Sequence, residues 1–356
     1  MDKRQDVVSS AQPQGGDDPL VEVIVLVQEL DPIERDILVK AAILAPSMHN
    51  TQPWKFHFRH RTVEVYCDPT RALGAEDPEG RMTVIGVGAA VFNLRVAAAC
   101  LGHSASVVPL PDTHRPTLVA EVIVGSQPVD VSGPAALYPY LAHRRTNRHP
   151  FADRALPTEV RDQLAQAAHE EGAMLEWIDQ PDRVRWLLEL ATEAAIAEAD
   201  DPRRLVERQR WVGGERTRDG VPSSAFGPRS YEPSGPVRDL AIDPADRLRS
   251  PGRFEPRPNL AVLWTVSDQP RDWLAAGQAL ERVLLVATTQ GVAASLLNQP
   301  LEHTDLRWLV RDPRAGWSMA QAVLRFGYGP EVLPTPRRPA EEFVLADDDA
   351  LPAEGR

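Results

Sequence analysis

The first third of the chain alternates helical and strand-like patterns of apolar residues. A helix opens at Asp31, where Pro32 takes the first helical position and Glu34 completes a capping box, and Pro46 stops it. Alternating apolar positions then give way to a long apolar run at helical spacing. The pattern predicts, in order, a helix over 31–46, a hairpin over 56–65, a helix over 81–101 and strands at 107–108 and 118–124.

A second series of elements begins after residue 143. It is interrupted by residues 203–258, which are rich in Pro, Gly, Arg and Asp and show little periodicity. A stretch of that length without regular structure is usually functional or disordered. The elements predicted around it are helices over 157–171, 183–199 and 272–290 and strands over 174–178, 260–266, 293–297 and 322–326.

Two helical segments resemble each other. One spans 88–102 and the other 277–291, each is bounded by glycines, and at the same offset of 189 residues Ser106 corresponds to Ser295 in a following strand. Helices followed by strands can match by chance, but here helix, glycines and strand match together. This combination favours an internal duplication.

Charge and composition narrow the possible functions. The chain has 39 basic and 51 acidic side chains, a net charge of −12, so a general nucleic-acid binder is not expected. The chain contains no uninterrupted run of 18 apolar residues, so no membrane span is expected. Residues 1–19 are polar without an apolar signal core, and 346–356 are acidic, so both are expected to be disordered tails. The cytoplasm is the default compartment.

The cysteines and histidines do not predict a metal site. Only two cysteines are present, and the nine histidines form no ligand-spaced cluster. All but three of the basic residues are arginines, so Arg is the expected ligand for anions.

The segment APSMHNTQPW (45–54) joins the first helix to a strand. Its two prolines stiffen the backbone, and between them lie the short polar side chains of Ser47, Asn50 and Gln52. Such groups can form hydrogen bonds with the polar atoms at the edge of a heteroaromatic ring. Equally, the amides could satisfy turn carbonyls at a helix stop, and the residues alone leave both interpretations open.

The segment HRRTNRHPF (143–151) is locally basic in an acidic chain. Three guanidiniums around a hydroxyl are suited to a phosphate, although a solvated basic turn is the commoner outcome. The residues concerned are Arg144, Arg145, Thr146 and Arg148.

Two further segments could complete such a site. Arg337 and Arg338 could clamp a phosphate from its other side, unless they are solvated like most charged runs near a terminus. The segment SLLNQPLE (295–302) ends in a proline-fixed turn whose backbone amides could face a ligand.

Together these motifs resemble those of the nitroreductase family. APSMHNTQPW is similar to the family's flavin-contacting loop, RRTNRHPF to its Arg-rich FMN-phosphate motif, and RFGYGP with the following RRP and EEF to its C-terminal segment. The resemblance implies an α+β, nitroreductase-like fold. The loop precedes the Arg motif here, which implies two fused halves, 20–135 and 136–345, that mimic the family homodimer and retain one complete site. This order is most similar to the Acg-type branch.

The resemblance implies an FMN site without a catalytic side chain, because the flavin N5 carries the chemistry, and without a metal. Met48 and the lack of a Glu-Gly pair after Pro300 depart from the family pattern. The cofactor-binding residues that the resemblance implies are Pro46, Ser47, Met48, Asn50, Gln52, Arg144, Arg145, Thr146, Arg148, Asn298, Gln299, Pro300, Arg337 and Arg338.

The implied function is that of an FMN-dependent NAD(P)H oxidoreductase. Hydride would pass from NAD(P)H to flavin N5 and then to a nitroaromatic- or quinone-like acceptor. The alternative is a catalytically silent protein that sequesters FMN beneath a lid formed by 203–258. Trp211, Phe226 and Tyr231 would give that lid its apolar area. Small-molecule donors and acceptors are the expected partners, without nucleic acid or membrane. The expected state is a monomeric pseudo-dimer or a weak homodimer.

Overall fold

The computed structural model describes residues 29–125, 133–311 and 318–346. The fold is α+β, as the sequence predicted, and most predicted elements lie within a few residues of their expected bounds. The tail predicted over 1–19 lies outside the described residues, as does all but the first residue of the tail predicted over 346–356. The helices are α1 (Pro32–Ala42), α2 (Arg81–Cys100), α3 (Tyr138–Leu141), α4 (Thr158–His169), α5 (Pro181–Asp200), α6 (Pro202–Gln209), α7 (Pro244–Arg247), α8 (Pro270–Thr289) and α9 (Thr304–Leu309).

The strands form two four-stranded antiparallel sheets, one from each predicted half, with the orders β1-β2-β4-β3 and β5-β8-β10-β9. A short parallel pair, β6-β7, lies within the segment 203–258. The strands are β1 (Trp54–Arg59), β2 (Thr62–Cys67), β3 (Ala105–Pro109), β4 (Leu118–Val124), β5 (Met174–Ile178), β6 (Arg229–Ser230), β7 (Pro251–Gly252), β8 (Asn259–Thr265), β9 (Ala293–Leu296) and β10 (Met319–Gly327).

Helices α2 and α8, each 20 residues long, pack against each other in the core. A Cβ added at Gly88 would lie 3.0 Å from Cα of Gly277, and one added at Gly277 would lie 2.8 Å from Cα of Gly88. These are the glycines that correspond in the two repeated segments. Because neither carries a side chain, the helix backbones touch directly, and one apolar core extends through both halves.

Helix α2 is also long and apolar enough to cross a membrane by composition, but 83% of its apolar window is buried in the protein. It passes through the core, which explains its lack of a polar face.

The beginning of α1 follows the sequence prediction and its end does not. The Asp31 carboxylate accepts from the backbone nitrogens of Ile33 and Glu34, and Glu34 closes the capping box. The helix ends at Ala42, four residues before Pro46. The carbonyl oxygens of the next three residues, Ile43, Leu44 and Ala45, accept from two arginines of the site described below.

The segment 203–258 packs around a small apolar cluster of its own. It contains short helices and one short strand pair, and the rest of it has little regular secondary structure. Trp211 is 8% exposed and Phe226 1%, and they pack with Leu73 of the first half. Tyr231, which the sequence grouped with them, is 67% exposed and does not belong to the cluster.

Candidate functional site

The loop between α1 and β1 has an unusual backbone. His49, Asn50 and Gln52 all have left-handed conformations, with φ of 48°, 55° and 52°. Asn tolerates this region, whereas His and Gln adopt it at a cost that surrounding contacts must offset. Such strain clusters at functional sites. The two prolines of the motif and Oγ of Ser47, which accepts from the Gln52 backbone nitrogen at 2.9 Å, hold the loop in place.

Arg144 approaches this loop from the second half. It is 5% exposed, and its Nη2 donates to the carbonyl oxygen of Leu44, two residues after α1, at 3.1 Å. Its Nε lies 3.4 Å from Oε1 of Glu281, yet Nε and Nη1 find no hydrogen-bond acceptor in the described part of the chain. Buried guanidinium nitrogens of this kind are costly unless an anion pairs with them.

Arg337 reaches the same place from the C-terminal segment. Its Nε donates to the carbonyl oxygen of Ile43 at 2.6 Å and its Nη1 to Oδ1 of Asn50 at 2.9 Å. Burial, together with the charges of Arg144 and Arg145, lowers the pKa of Arg337 to about 9. The three guanidiniums therefore repel one another.

Two carboxyls balance this cluster only in part. The charge of Glu331 acts on Arg145, against the burial that lowers the pKa of that arginine. Glu281 lies on α8, and burial raises its pKa to about 7 although the charge of Arg144 opposes that shift. Two carboxyls, one of them partly protonated at neutral pH, cannot neutralise three guanidiniums. The cluster is therefore short of negative charge, which a phosphate dianion would supply.

A cavity of about 480 Å³ opens beside the cluster, lined by Arg144, Arg145, Arg337 and the loop. It adjoins a narrower space of about 100 Å³, here called the slot, with which it shares Thr146 and Arg148. The apolar walls of the slot are Met48, Met82, Ile85, Leu240, Leu280 and Leu296. An anion-binding end joined to a narrow apolar end suits a ligand with a phosphate and a flat ring.

Ten of the fourteen residues expected at the site line the cavity or the slot: Pro46, Ser47, Met48, Asn50, Arg144, Arg145, Thr146, Arg148, Asn298 and Arg337. Four lie elsewhere. The Arg338 guanidinium bonds Glu342 at 2.9 Å, and Gln299 and Pro300 are buried but line neither the cavity nor the slot. The Gln52 side chain donates from Nε2 to the carbonyl oxygen of Arg218 and accepts at Oε1 from the backbone nitrogen of Arg338.

The two amides of the loop thus play the structural role that the sequence left open for them. Asn50 lines the cavity, but its Nδ2 donates to the carbonyl oxygens of Gly220 and Pro336, both at 2.9 Å. Asn50 and Gln52 therefore tie the loop to the segment 203–258 and to the C-terminal segment.

Residues of the segment 203–258, here called the lid, line both the cavity and the slot. Val221 and Ala225 line the cavity, Leu240 lines the slot, and Arg148 donates from Nη1 to the carbonyl oxygen of Ala225 at 3.1 Å. Burial, with the charge of Arg238, lowers the pKa of Arg148 to about 10.

A buried charge cluster fastens the lid to the body of the protein. It consists of Arg208 and Arg238 from the lid and the carboxylates of Glu76, Glu198 and Glu302. Arg238 bonds Glu198 at 2.9 Å and Glu302 through both nitrogens at 2.7 and 3.0 Å, while Arg208 bonds Glu76 at 2.9 Å. All five side chains are at most 11% exposed.

His49 connects the strained loop to this cluster. Its Nε2 lies 2.7 Å from Oε2 of Glu76, and burial is the main cause that lowers its pKa. A neutral imidazole therefore lies between the loop and the lid contacts.

Sequence reasoning missed His49, Glu281, Arg238 and Glu302. Glu281 left a signal, because at the repeat offset of 189 it corresponds to Phe92, an apolar position. Arg238 left none, because it lies in a segment without periodicity and its partners are between 40 and 162 residues away along the chain. No group of three metal-ligating side chains occurs within 29–125, 133–311 and 318–346.

Comparison with known proteins gives the following matches. No protein-family model matches the chain. A protein of Mycobacterium tuberculosis (strain ATCC 25618 / H37Rv), provisionally named an NAD(P)H nitroreductase, is 31% identical over 327 residues, 87% of this chain and 90% of that protein. The protein acg of the same strain, also provisionally named an NAD(P)H nitroreductase, is 31% identical over 314 residues, 85% of this chain and 93% of that protein.

Solved structures give weaker matches. A nitroreductase with bound FMN from Bacteroides fragilis NCTC 9343 is 15% identical, with a TM-score of 0.36 and coverage of 59% of this chain and 98% of that chain. A nitroreductase with bound FMN from Desulfitobacterium hafniense DCB-2 is 12% identical, with a TM-score of 0.36 and coverage of 60% of this chain and 96% of that chain.

Proposed function

The chain belongs to the NAD(P)H nitroreductase family, and on that premise we propose that it is an FMN-dependent oxidoreductase. It takes hydride from NAD(P)H and passes two electrons to a nitroaromatic- or quinone-like acceptor. The observation that carries the FMN assignment is Arg144, whose unpartnered, buried nitrogens lie beside a cavity that continues into an apolar slot.

The residues of the chain bind, orient and shield the cofactor. Arg144, Arg145 and Arg337 would hold the phosphate, whose negative charge would offset the excess of positive charge among them. The apolar walls of the slot exclude water from the ring. Arg148, at the junction of cavity and slot, would place a positive charge beside the bound cofactor and so would stabilise negative charge on its reduced form. FMN, when bound, supplies the hydride-accepting centre, so no protein nucleophile is needed.

We also propose that the chain arose by duplication and retains one site of two. The meeting of Gly88 and Gly277 supports this, because equivalent residues meet where a two-fold axis passes between halves. The lost site would lie around Phe92, the repeat counterpart of Glu281. There the guanidinium carbons of Arg95 and Arg282 lie 5.3 and 5.6 Å from the centroid of the Phe92 ring. We expect a monomer, since fusion supplies the partner half.

The test is an anaerobic titration of the purified protein with NADPH, followed at the flavin absorption band. We expect bleaching to a stoichiometric end point and recovery of the band when a quinone is added. Protein that carries no flavin, or flavin that NADH and NADPH both leave oxidised, would contradict the oxidoreductase.

A second function, sequestration of FMN beneath a permanently closed lid, has specific support. The lid is bonded to the strained loop, to Arg148 and to the buried charge cluster, so its opening breaks several buried contacts. A lid that opens rarely would hide the ring from nicotinamide.

Replacing Phe226 by Ala distinguishes the two functions. Phe226 is 1% exposed in the apolar cluster of the lid, and truncation of a buried Phe costs about 3–5 kcal/mol, so the lid should open more often. We expect faster proteolysis within 203–258 and faster bleaching by NADPH. Tyr231→Ala, at an exposed position of the same segment, is the matched control and should change neither rate.

The outcome for the wild type then assigns the function. Bleaching in Phe226→Ala but not in the wild type would establish sequestration. Equal bleaching in both, with faster proteolysis only in the variant, would show that the lid does not limit access.

A further inference from the structure

The slot has walls from the body of the protein and a wall from the lid. Helices α2 and α8 and the strained loop supply much of the body walls. Of the lid residues that the structure describes, Arg238 and Leu240 line the slot. A substrate that is exchanged in every turnover has to enter past a segment that can open, and an irregular segment opens more readily than packed helices. An electron acceptor would therefore lie between the cofactor and these two lid residues.

The Arg238 guanidinium has one donor without a partner. Its Nη1 donates to Glu302 at 2.7 Å, and its Nη2 donates to Glu302 at 3.0 Å and to Glu198 at 2.9 Å. Its Nε is buried and has no acceptor in the described part of the chain. Because a guanidinium is planar, the two carboxylates that hold the Nη atoms also fix the direction of the Nε–H bond. A buried N–H without a partner is costly, and an oxygen atom that a ligand brings into the slot would remove that cost.

The charges that border the slot favour such an oxygen atom. Both oxygens of Glu302 accept from Arg238, as those of an ionised carboxylate do, and a guanidinium keeps its proton in proteins. Arg148 lines the slot from the body side, and burial, with the charge of Arg238, lowers its pKa to about 10. Two guanidiniums thus border the slot beside one carboxylate. The other charged groups around the cluster, which do not line the slot, are Glu76, Glu198, Arg81, Arg204 and Arg208.

We propose that Arg238 binds the electron acceptor, with its Nε donating to a carbonyl or nitro oxygen of a flat molecule whose apolar part lies against Leu240. This inference rests on the proposed function and adds which residue of the chain holds the acceptor. It also gives the lid a second role, because a closed lid would complete the site instead of only covering it.

The hydrogen bond from Nε would strengthen during the reaction. A quinone that receives a hydride ion, which carries two electrons and one hydrogen nucleus, becomes a hydroquinone monoanion with the negative charge on oxygen. A proton from the solvent then forms the second O–H bond, so NAD(P)H, quinone and one proton give NAD(P)⁺ and hydroquinone. An N–H bond held toward the oxygen that becomes negative stabilises the transition state more than the ground state.

The variant Arg238→Lys tests this contact. The lysine ammonium keeps the positive charge beside Glu302, but it lacks the planar fork that fixes the fifth donor. Arg208→Lys is the matched control, because Arg208 belongs to the same buried charge cluster, is 6% exposed against 11% for Arg238, and lines neither the cavity nor the slot. Both variants should loosen the lid, whereas only Arg238→Lys should lose a bond to the acceptor.

The first measurement is equilibrium binding of duroquinone to the oxidised, FMN-loaded protein without NADPH, followed through the flavin absorption. A hydrogen bond from a charged group contributes roughly tenfold to a hundredfold in affinity. We expect Arg238→Lys to bind duroquinone at least about tenfold more weakly and Arg208→Lys to match the wild type. FMN affinity, from isothermal titration of the apoproteins, should be the same in all three proteins.

The second measurement is stopped-flow kinetics of the two half-reactions. Reoxidation by saturating duroquinone should be roughly tenfold slower in Arg238→Lys than in Arg208→Lys. Reduction by NADPH and reoxidation by ferricyanide should be alike in the two variants, since ferricyanide takes one electron at a time and needs no hydrogen bond to a carbonyl oxygen. A residue that only fastened the lid would change all three rates equally in both variants.

Two further readouts do not depend on activity. Proteolysis of the apoproteins within 203–258 measures lid opening without cofactor and should be equally fast in the two lysine variants. In the ¹⁵N-labelled wild type, which needs no variant to fold, one arginine Nε–H signal should shift downfield when duroquinone is added to the oxidised, FMN-loaded protein.

The contradicting results separate the two proposals. Duroquinone that shifts no arginine Nε–H signal, or that binds Arg238→Lys as it binds the wild type, would overturn the acceptor contact and leave the oxidoreductase intact. So would a loss of duroquinone affinity that follows the proteolysis rate in both variants, or a loss of FMN affinity in Arg238→Lys, which would assign the bond to the cofactor. Failure of NADPH to reduce the wild-type protein would instead overturn the proposed function.

Discussion

Replacement of both Arg144 and Arg148 by Ala is expected to abolish the retention of FMN through purification. Arg144 brings two unpartnered buried nitrogens to the cavity, and Arg148 lies where cavity and slot join. A hydrogen bond to a charged group contributes about 1.5–3 kcal/mol, so losing one from each residue should weaken binding by roughly 10²- to 10⁴-fold. Isothermal titration of the apoprotein with FMN measures the change.

A second double variant controls for the loss of two arginines. Arg338 is adjacent to Arg337 but pairs with Glu342, and Arg203 is 86% exposed. Neither lines the cavity, so Arg338→Ala with Arg203→Ala should bind FMN as the wild type does. Apoproteins with similar melting curves would exclude unfolding as the cause. FMN affinity that Arg144→Ala with Arg148→Ala leaves unchanged would refute the phosphate assignment.

The site could be predicted from sequence where a single segment carries it. The stiff loop over 45–54 and the basic segment over 143–151 each hold several lining residues, and their resemblance to family motifs is enough to predict that they meet at one site. The choice between Arg337 and Arg338 was not readable, because adjacent residues in an extended segment point to opposite sides. Only the packed C-terminal segment shows that Arg337 faces the cavity.

The lid could be located from sequence, but its contacts could not. Its lack of periodicity marked 203–258 as a unit, and Trp211 and Phe226 do form its apolar cluster. Arg238 meets partners from three distant parts of the chain, and no local pattern encodes such meetings. Tyr231 shows the limit of composition, since an aromatic residue in an irregular segment can be exposed as easily as buried.

Gly277→Ala is expected to destabilise the whole protein, because α2 and α8 are in backbone contact at this residue. A Cβ there would overlap the carbonyl oxygen of Ile85 and lie 2.8 Å from Cα of Gly88. Helix backbone cannot move aside as a side chain does, so the two helices that join both halves must separate. Overpacking costs about 1–3 kcal/mol and sometimes more, against a gain of about 1 kcal/mol in helix propensity.

We therefore expect a net loss of up to about 2 kcal/mol in the free energy of unfolding, measured by denaturant titration of the apoprotein. Gly88→Ala should behave alike, since its Cβ would overlap the carbonyl oxygen of Leu274. Gly86→Ala in the same helix is the matched control. Its Cβ would meet Cβ of Ser47 at 3.4 Å, an ordinary contact, so the propensity gain should leave stability equal or higher. If the free energy of unfolding changed equally in all three variants, the glycines would affect stability only through their low helix propensity. A loss confined to Gly88 and Gly277 would show that the two halves depend on their backbone contact.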